Sequence, residues 1–257
     1  MTRFCTFASG STGNAALLSS GDTHILIDMG ISCRRICQSL SALGLTPEDL
    51  SAILITHEHN DHISGLATYI KKYKTPIITT SATARQLVYR IAAIEKQMQC
   101  VEWGEVCEVG GVGIRVLESS HDCAGSCAFH LDTPHGSMGY LTDTGYIPAD
   151  TAQALMGVKF LVLESNHDVE MVRSGPYPYY LKERVLGMRG HLSNEVAAMF
   201  ALDSVKAGTE TIVLAHLSRE NNTPGLALNT VGRWLETAGY TGRLIVAPAG
   251  EMSEIWL

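Results

Sequence analysis

Apolar and polar positions follow two rhythms along this chain, one of strands and one of helices. Apolar runs at 14–19 and 23–28 flank a Gly21-Asp22 pair, which predicts two strands joined by a tight turn. From Ile31 to Leu43 the apolar residues recur at helical spacing and stop at Gly44, predicting a helix closed by glycine. The SAILIT run at 51–56 is short and almost wholly apolar, the pattern of a buried strand. A helix is expected at about 64–73, a strand at 76–79 and a helix at about 82–91. Between 100 and 142, short β-rich runs (VEW, VCEV, GIRVLES, CAFHLDT, MGYLT) are split by Gly and Asp. FLVLE (160–164) and residues 212–215 predict two more buried strands. Ser193 can cap a helix running to about Lys206, and Thr223-Pro224 opens another, to about Ala238, with proline at its first position. Strands at 244–246 and 252–256 close the chain. With no repeat or linker, this order predicts one α/β domain over residues 1–257, two packed sheets with helices outside.

Composition narrows the function classes. Hydrophobic residues make up 46% and charged residues 18%, as in ordinary globular proteins, and the net charge is −7. That balance argues against broad electrostatic binding of nucleic acid, though a basic strip beside a site remains compatible with it. No apolar run approaches the ~18–20 residues of a membrane span, and the Met1-Thr2-Arg3-Phe4 start has no apolar secretion segment. The seven cysteines are scattered, in C-x3-C rather than C-x2-C pairs, and are read as small buried thiols of a cytoplasmic protein.

The chemistry concentrates in Thr56-His57-Glu58-His59-Asn60-Asp61-His62, directly after SAILIT. Ligand-type residues at 57, 59, 61 and 62 fit a tight loop, and imidazole with carboxylate suits zinc, and also manganese or iron. One loop cannot fill two coordination shells, so further ligands are expected at other strand ends: His121 after GIRVLES, Asp143 after MGYLT and His216 after TIVLA. His24, His130 and His135 have no ligand pattern and are read as surface or internally satisfied residues.

HxHxDH, then His, Asp and His each after a strand, resembles the metallo-β-lactamase superfamily over nearly the whole chain. The resemblance implies a four-layer αβ/βα sandwich with two divalent metal ions, zinc or manganese, at one edge of the sheets. It implies His57, His59 and His121 as ligands of the first ion, Asp61, His62 and His216 as ligands of the second, and Asp143 as the bridge. Asp28, in Leu26-Ile27-Asp28-Met29-Gly30, would support the metal loop.

A two-metal site serves phosphodiesters, thioesters, lactones and lactams alike, so other residues must select the substrate. Gly190-His191-Leu192-Ser193-Asn194 resembles the histidine motif of ribonuclease Z and related phosphodiesterases. By that resemblance His191 contacts the scissile phosphate or protonates the departing oxygen, Glu164 orients His191, and Asp61 orients the attacking water. The helix start at Ser193 and Asn194 would bind substrate, since its open backbone N–H groups favour an anion. Ser9-Gly10-Ser11-Thr12-Gly13-Asn14, Glu164-Ser165-Asn166-His167-Asp168, GHLSN and His216-Leu217-Ser218-Arg219-Glu220-Asn221-Asn222 together resemble the YycJ/WalJ-like subfamily of bacterial cytoplasmic nucleases. This implies a DNA exonuclease, with nucleic acid as partner and no membrane. His167 is placed either near the metals or at a helix start. The 22 positions from His121 to Asp143 leave no room for the substrate arm of ribonuclease Z, and the chain is too short for the extra domain of the ribonuclease J group. Arg173, Lys182, Arg184 and Arg189, interleaved with Tyr177, Tyr179 and Tyr180, could track a strand, with Lys71-Lys72-Tyr73-Lys74 as a second cluster. The competing readings are an acyl hydrolase for thioesters or lactones on the same metal site, and a metal-stabilised binding module. Zinc and manganese, DNA and RNA, and the oligomeric state stay open at this level.

Overall fold

The computed structural model describes residues 2–256. Strands β1 (Thr2–Ala8), β2 (Ala15–Ser20) and β3 (Thr23–Ile27) form an antiparallel meander. Helix α1 (Cys33–Ala42) leads to β4 (Ala52–Leu54), the single-turn helices α2 (Asn60–Ile63) and α3 (Leu66–Tyr69), β5 (Ile77–Thr79), α4 (Ser81–Arg90) and β6 (Met98–Cys100). The second half holds β7 (Val106–Val109), β8 (Val112–Glu118), β9 (Cys127–Thr133), β10 (Gly136–Leu141), α5 (Ala149–Leu155), β11 (Phe160–Glu164), α6 (Val169–Ser174) and α7 (Tyr179–Leu186). It continues with α8 (Asn194–Lys206), β12 (Thr211–Ala215), α9 (Pro224–Thr237) and β13 (Arg243–Val246), and β14 (Ser253–Trp256) returns to pair with β1.

The described residues form two seven-stranded sheets, ordered β14-β1-β2-β3-β4-β5-β6 and β13-β12-β11-β10-β9-β8-β7. Residue alternation sorts the strand side chains into layers. Leu18, Ile25, Ile27 and Leu54 point inward to meet Ile114, Phe129, Val162 and Val213 of the other sheet, with the Phe4 and Phe160 rings 5.3 Å apart. Leu17, Leu26 and Ile53 point outward onto Ile36, Leu40, Leu66 and Leu87 of the helices. Leu161, Leu163 and Leu214 do the same against Ala198, Ala201, Val231 and Leu235. The result is the expected αβ/βα order of four layers.

Strands β3 to β6 pair in parallel, as do β10 to β13. Parallel strands covered on both faces need unbroken apolar runs, which is why FLVLE and TIVLA are buried throughout. Their carboxyl ends gather at one edge, where α/β scaffolds bind ligands.

The expected elements differ from the structure in a few places. The helix expected at 64–73 is shortened to the single turn α3, after a separate turn, α2, that ends at Ile63; between them Gly65 lies against the backbone of Ile31 and Cys33. VEW is not a strand; the β6 pairing falls on Met98–Cys100 just before it. Strand β1 and helices α5, α6 and α7 had no clear periodic signal. No helix among the described residues is long and apolar enough to cross a membrane.

Gly30 joins this scaffold to the 57–62 loop. Its N–H donates to the Asn14 carbonyl, and a Cβ there would lie 1.6 Å from the Asp61 carbonyl oxygen, so the two backbones can touch only through glycine. Gly30→Ala is expected to lower folding stability by about 1–3 kcal/mol through overpacking, read as a lower urea midpoint at unchanged slope. An unchanged midpoint would show that the loop moves aside at no cost.

Candidate metal centre and its cleft

The 57–62 motif leaves the end of β4 as a loop. His59 has extended backbone, φ −69° and ψ 150°, and caps the one turn of α2, which brings Asp61 and His62 back toward His57. Asp28 follows β3, His121 lies beyond β8, Asp143 beyond β10, and Glu164 ends β11. His216 follows β12. Asp28, Asp143 and His216 have φ of 59°, 56° and 55°. This left-handed backbone is uncommon for residues other than glycine. It costs up to about 1–3 kcal/mol at each position, and here it turns each side chain back over its strand end.

The seven side chains expected as ligands converge. His57, His59 and His121 form one group whose nitrogens lie within 4.8 Å of one another, and Asp61, His62 and His216 form a second. Asp143 groups with His57 and His62 on one side and with Glu164, His191 and His216 on the other. His59 Nδ1 is 3.2 Å from His121 Nε2, and His62 Nε2 is 3.2 Å from an Asp143 oxygen. His216 Nε2 stands 3.5 Å from carboxylate oxygens of both Asp61 and Asp143. Ligands about 2.0–2.1 Å from a tetrahedral ion stand about 3.4 Å from one another, so these spacings match those around a common cation. Two atoms reinforce the fit: His57 Nε2 and Asp143 Oδ2 are buried among these groups with no hydrogen-bond partner. One contact would have to open, since the Asn14 amide nitrogen lies 3.0 Å from His62 Nε2.

A second tier orients the rings. Asp28, fully buried, binds His62 Nδ1 at 2.7 Å and also accepts from the backbone N–H and hydroxyl of Thr56. Thr56 Oγ1 in turn reaches His57 Nδ1 at 3.0 Å. His121 Nδ1 donates to the Gly190 carbonyl, leaving Nε2 for the site. Gly190 is dictated by packing, because a Cβ there would lie 2.2 Å from the Val185 carbonyl. Glu164 Oε1 takes both His191 Nδ1, at 2.8 Å, and His216 Nδ1, at 3.0 Å, while Oε2 accepts the Thr144 and Leu192 N–H groups.

Burial and charge compete at these groups. Burial would raise Glu164, but the charge and hydrogen bond of His191, with that of His216, outweigh it and hold its pKa at about 2. Asp143 is likewise held well below the carboxylate range, against burial, by His216 and His62. At His62 burial is outweighed by Asp143 and Asp28, which raise its pKa well above normal. His57 moves the other way, lowered well below its ordinary value by burial and by His62, so its imidazole is neutral with a lone pair available. A field that keeps a proton on one buried imidazole while another stays neutral is the field that would hold a cation.

The cleft over this group has a volume of about 210 Å³. His59, Asp61, His121, Asp143, His191 and His216 line it, and Ser11, Tyr177, Leu181, Arg184 and Ser218 form its walls. Ser193 and Asn194, expected to touch substrate, do not line it. Ser193 caps α8 by accepting from Val196 N–H, and buried Asn194 spends its amide on Ser165 and Asn222. The basic residues are also less available than expected. Arg184 pairs with Asp122, and Arg189 donates to the His121 and Cys123 carbonyls, so both brace the His121 loop. Lys72 and Tyr73 line grooves beside α1 and β5 and not this cleft. His24, His130 and His135 are satisfied by Ser19, Asp132 and Thr2. His167 is buried and bridges Ser193 through the backbone, outside every ligand group found among the described residues. Sequence reading gave no role to Thr56, Asn14 or Glu58, whose Oε1 accepts Ala124 N–H and ties the metal loop to the His121 loop.

The family profile described as Beta-lactamase superfamily domain matches residues 23–217. Exodeoxyribonuclease YycJ of Bacillus anthracis is 35% identical over 92% of this chain and 90% of its own length. Exodeoxyribonuclease WalJ of Streptococcus pneumoniae is 35% identical over 92% of this chain and 89% of its own. The solved structure of Zn(2+)-bound PqqB from Methylobacterium extorquens, 16% identical, superposes over 99% of this chain and 100% of its own with a TM-score of 0.76. Fold and donor set together imply divalent metal ions.

A divalent ion at about a hundred times its dissociation constant is expected to add about 2.7 kcal/mol of folding stability, seen as a higher Tm that chelator reverses. Asp143→Ala, which removes a donor shared by two groups, should lose most of that rise. An equal rise in the variant would take Asp143 out of the centre.

Proposed function

The chain belongs to the β-lactamase superfamily, in the group of the YycJ and WalJ proteins, and from that premise we propose that it is a two-metal phosphodiesterase that removes nucleotides from the ends of DNA. His57, His59 and His121 would hold one ion and Asp61, His62 and His216 the other, with Asp143 between them. Zinc and manganese both suit these donors. A pair of divalent ions supplies the charge that neutralises the phosphate and acidifies water. The reading includes a cytoplasmic protein.

The observation that carries it is the Glu164–His191 pair, at 2.8 Å, beside the ligand cluster. Glu164 is ionised and fixes His191 Nδ1 as the donor, which leaves Nε2 of a half-buried ring at the cleft. A proton held at Nε2 can pass to the oxygen that leaves phosphorus, and Nε2 can hydrogen-bond a phosphate oxygen before that step. Because the same Glu164 oxygen binds His216, this histidine keeps register with the metal ligands. Asp61, a quarter exposed at the cleft, is placed to orient the attacking water. The cleft walls are mostly hydroxyls and charged groups, which suit a phosphodiester better than an acyl chain.

At the rim, α7 has no buried residue, and Tyr179 and Tyr180 are 76% and 74% exposed. Tyr177, Leu181 and Arg184 of the same segment line the cleft, and Tyr179 and Tyr180 are on the helix that carries Leu181 and Arg184. Exposed rings beside an anion-binding site suit stacking of unpaired bases, and the substrate is accordingly DNA with a single-stranded end.

The test is a panel of end-labelled single- and double-stranded DNA, RNA, bis(p-nitrophenyl) phosphate and a thioester, with zinc or manganese. Metal-dependent loss of terminal nucleotides from DNA is expected; turnover of the thioester alone would replace the proposal with the acyl reading. His191→Ala should lower kcat on a phosphodiester by about 10²–10⁴-fold with metal content retained, and near-normal turnover would remove His191 from the reaction. Tyr179→Ala with Tyr180→Ala should raise KM for single-stranded DNA by about tenfold or more, at about 1–3 kcal/mol per stacked base. A fall in kcat with KM unmoved would contradict the stacking role.

A further inference from the structure

A second pocket of about 250 Å³ adjoins the metal cleft and shares Ser11 and Ser218 with it. The β1–β2 loop, the loop after β12, the start of α9 and the turn after β13 enclose it. Its chemistry differs from that of the cleft. Leu217, Pro224, Val246, Ala247 and Pro248 give it apolar walls, and Arg219 supplies a cation.

Most of its polar groups are already committed. Ser9 Oγ accepts His216 N–H, and Ser218 Oγ accepts Asn221 N–H. The Asn222 amide nitrogen donates to Ser165, Asn166 and Asn194. Among the described residues, the side chains of Ser11, Thr12 and Arg219 make no bond within the protein, and all three are exposed. An apolar slot with hydroxyls and a guanidinium suits a flat ring that is apolar on its faces and polar at its edges. The volume lies below the ~300 Å³ of a site for a drug-sized ligand, which limits the occupant to one small unit.

We propose that this pocket seats the base and sugar of one nucleotide whose phosphate lies in the metal cleft, with Ser11 and Ser218 at the junction. The inference rests on the nuclease reading above and deepens it. The phosphate goes to the polar cleft and the nucleoside to the apolar pocket. The strand would then run over the metal centre between the α7 segment that lines the cleft and Arg219 of the pocket. One nucleotide is held on the pocket side, the arrangement a terminal cut requires.

Two measurements test it. With metal-loaded wild type turning over bis(p-nitrophenyl) phosphate, deoxyadenosine 5′-monophosphate should inhibit about tenfold more strongly than deoxyribose 5-phosphate, because the base buries apolar surface in the pocket, a difference of about 1.4 kcal/mol. Ala249→Trp, which narrows the pocket, and Arg219→Ala should each lower the ratio of kcat/KM on a single-stranded oligonucleotide to that on bis(p-nitrophenyl) phosphate by about tenfold. Equal inhibition by the nucleotide and the sugar phosphate in wild type overturns the pocket, as does an unchanged ratio in folded variants. If wild type splits bis(p-nitrophenyl) phosphate and no oligonucleotide, the nuclease reading falls by itself, and the inhibitor comparison still decides the pocket.

Discussion

Three carboxylates, Asp28, Asp143 and Glu164, are almost completely buried where the two sheets meet, and the site depends on how their charge is compensated. A buried ionised carboxylate is costly unless it is paired and hydrogen-bonded. Asp28 is met by His62 and Thr56, and Glu164 by two imidazoles and two backbone N–H groups. Asp143 is less well provided for. One of its oxygens makes no well-directed hydrogen bond and has only an ion pair with His62, and its neighbours are imidazoles already tied to the other two acids. The positive charge still needed at its position is what the donor geometry is shaped to receive.

This arrangement determines what the scaffold must do. The ligand-type residues come from chain segments as distant as His57 and His216, so each must be aimed independently. The strands deliver them to one edge, and left-handed backbone at Asp28, Asp143 and His216 turns them into it. Such conformations persist only where surrounding structure enforces them. Here the enforcement comes from the packed parallel strands on one side and from bonds such as His216 N–H to Ser9 on the other.

The surface around the centre reconciles an acidic protein with an anionic substrate. The net charge of −7 repels DNA at long range. The local cations of α7 and the loop before α8 are largely used to brace the His121 loop. Under the proposed function, attraction would fall to the metal ions, and discrimination to the exposed tyrosines of α7 and the proposed nucleotide pocket, which act at contact range.

The seven ligand-type residues were legible in the sequence, and Asp28 and the Glu164–His191 pair through the family resemblance. Metal chemistry restricts residue type and loop spacing, and burial on both faces forces the apolar runs that mark the preceding strands. Two packed sheets with helices outside followed from the alternation of strands and helices, and the αβ/βα order from the family resemblance. Thr56 and Asn14 stood in sequence motifs without a role, because a threonine or asparagine gains its role only from a partner brought near by folding, as Asn14 does from His62. The partners of Arg184, Arg189 and Asn194 were hidden for the same reason: Arg184 Nε is paired with Asp122, Arg189 donates to the His121 and Cys123 carbonyls, and the Asn194 amide is bonded to Ser165 and Asn222. Local sequence thus determined which groups can bind a cation, because that depends on side-chain chemistry. Only the tertiary structure decided which groups remain available to a substrate, because availability depends on contacts between residues far apart in the chain.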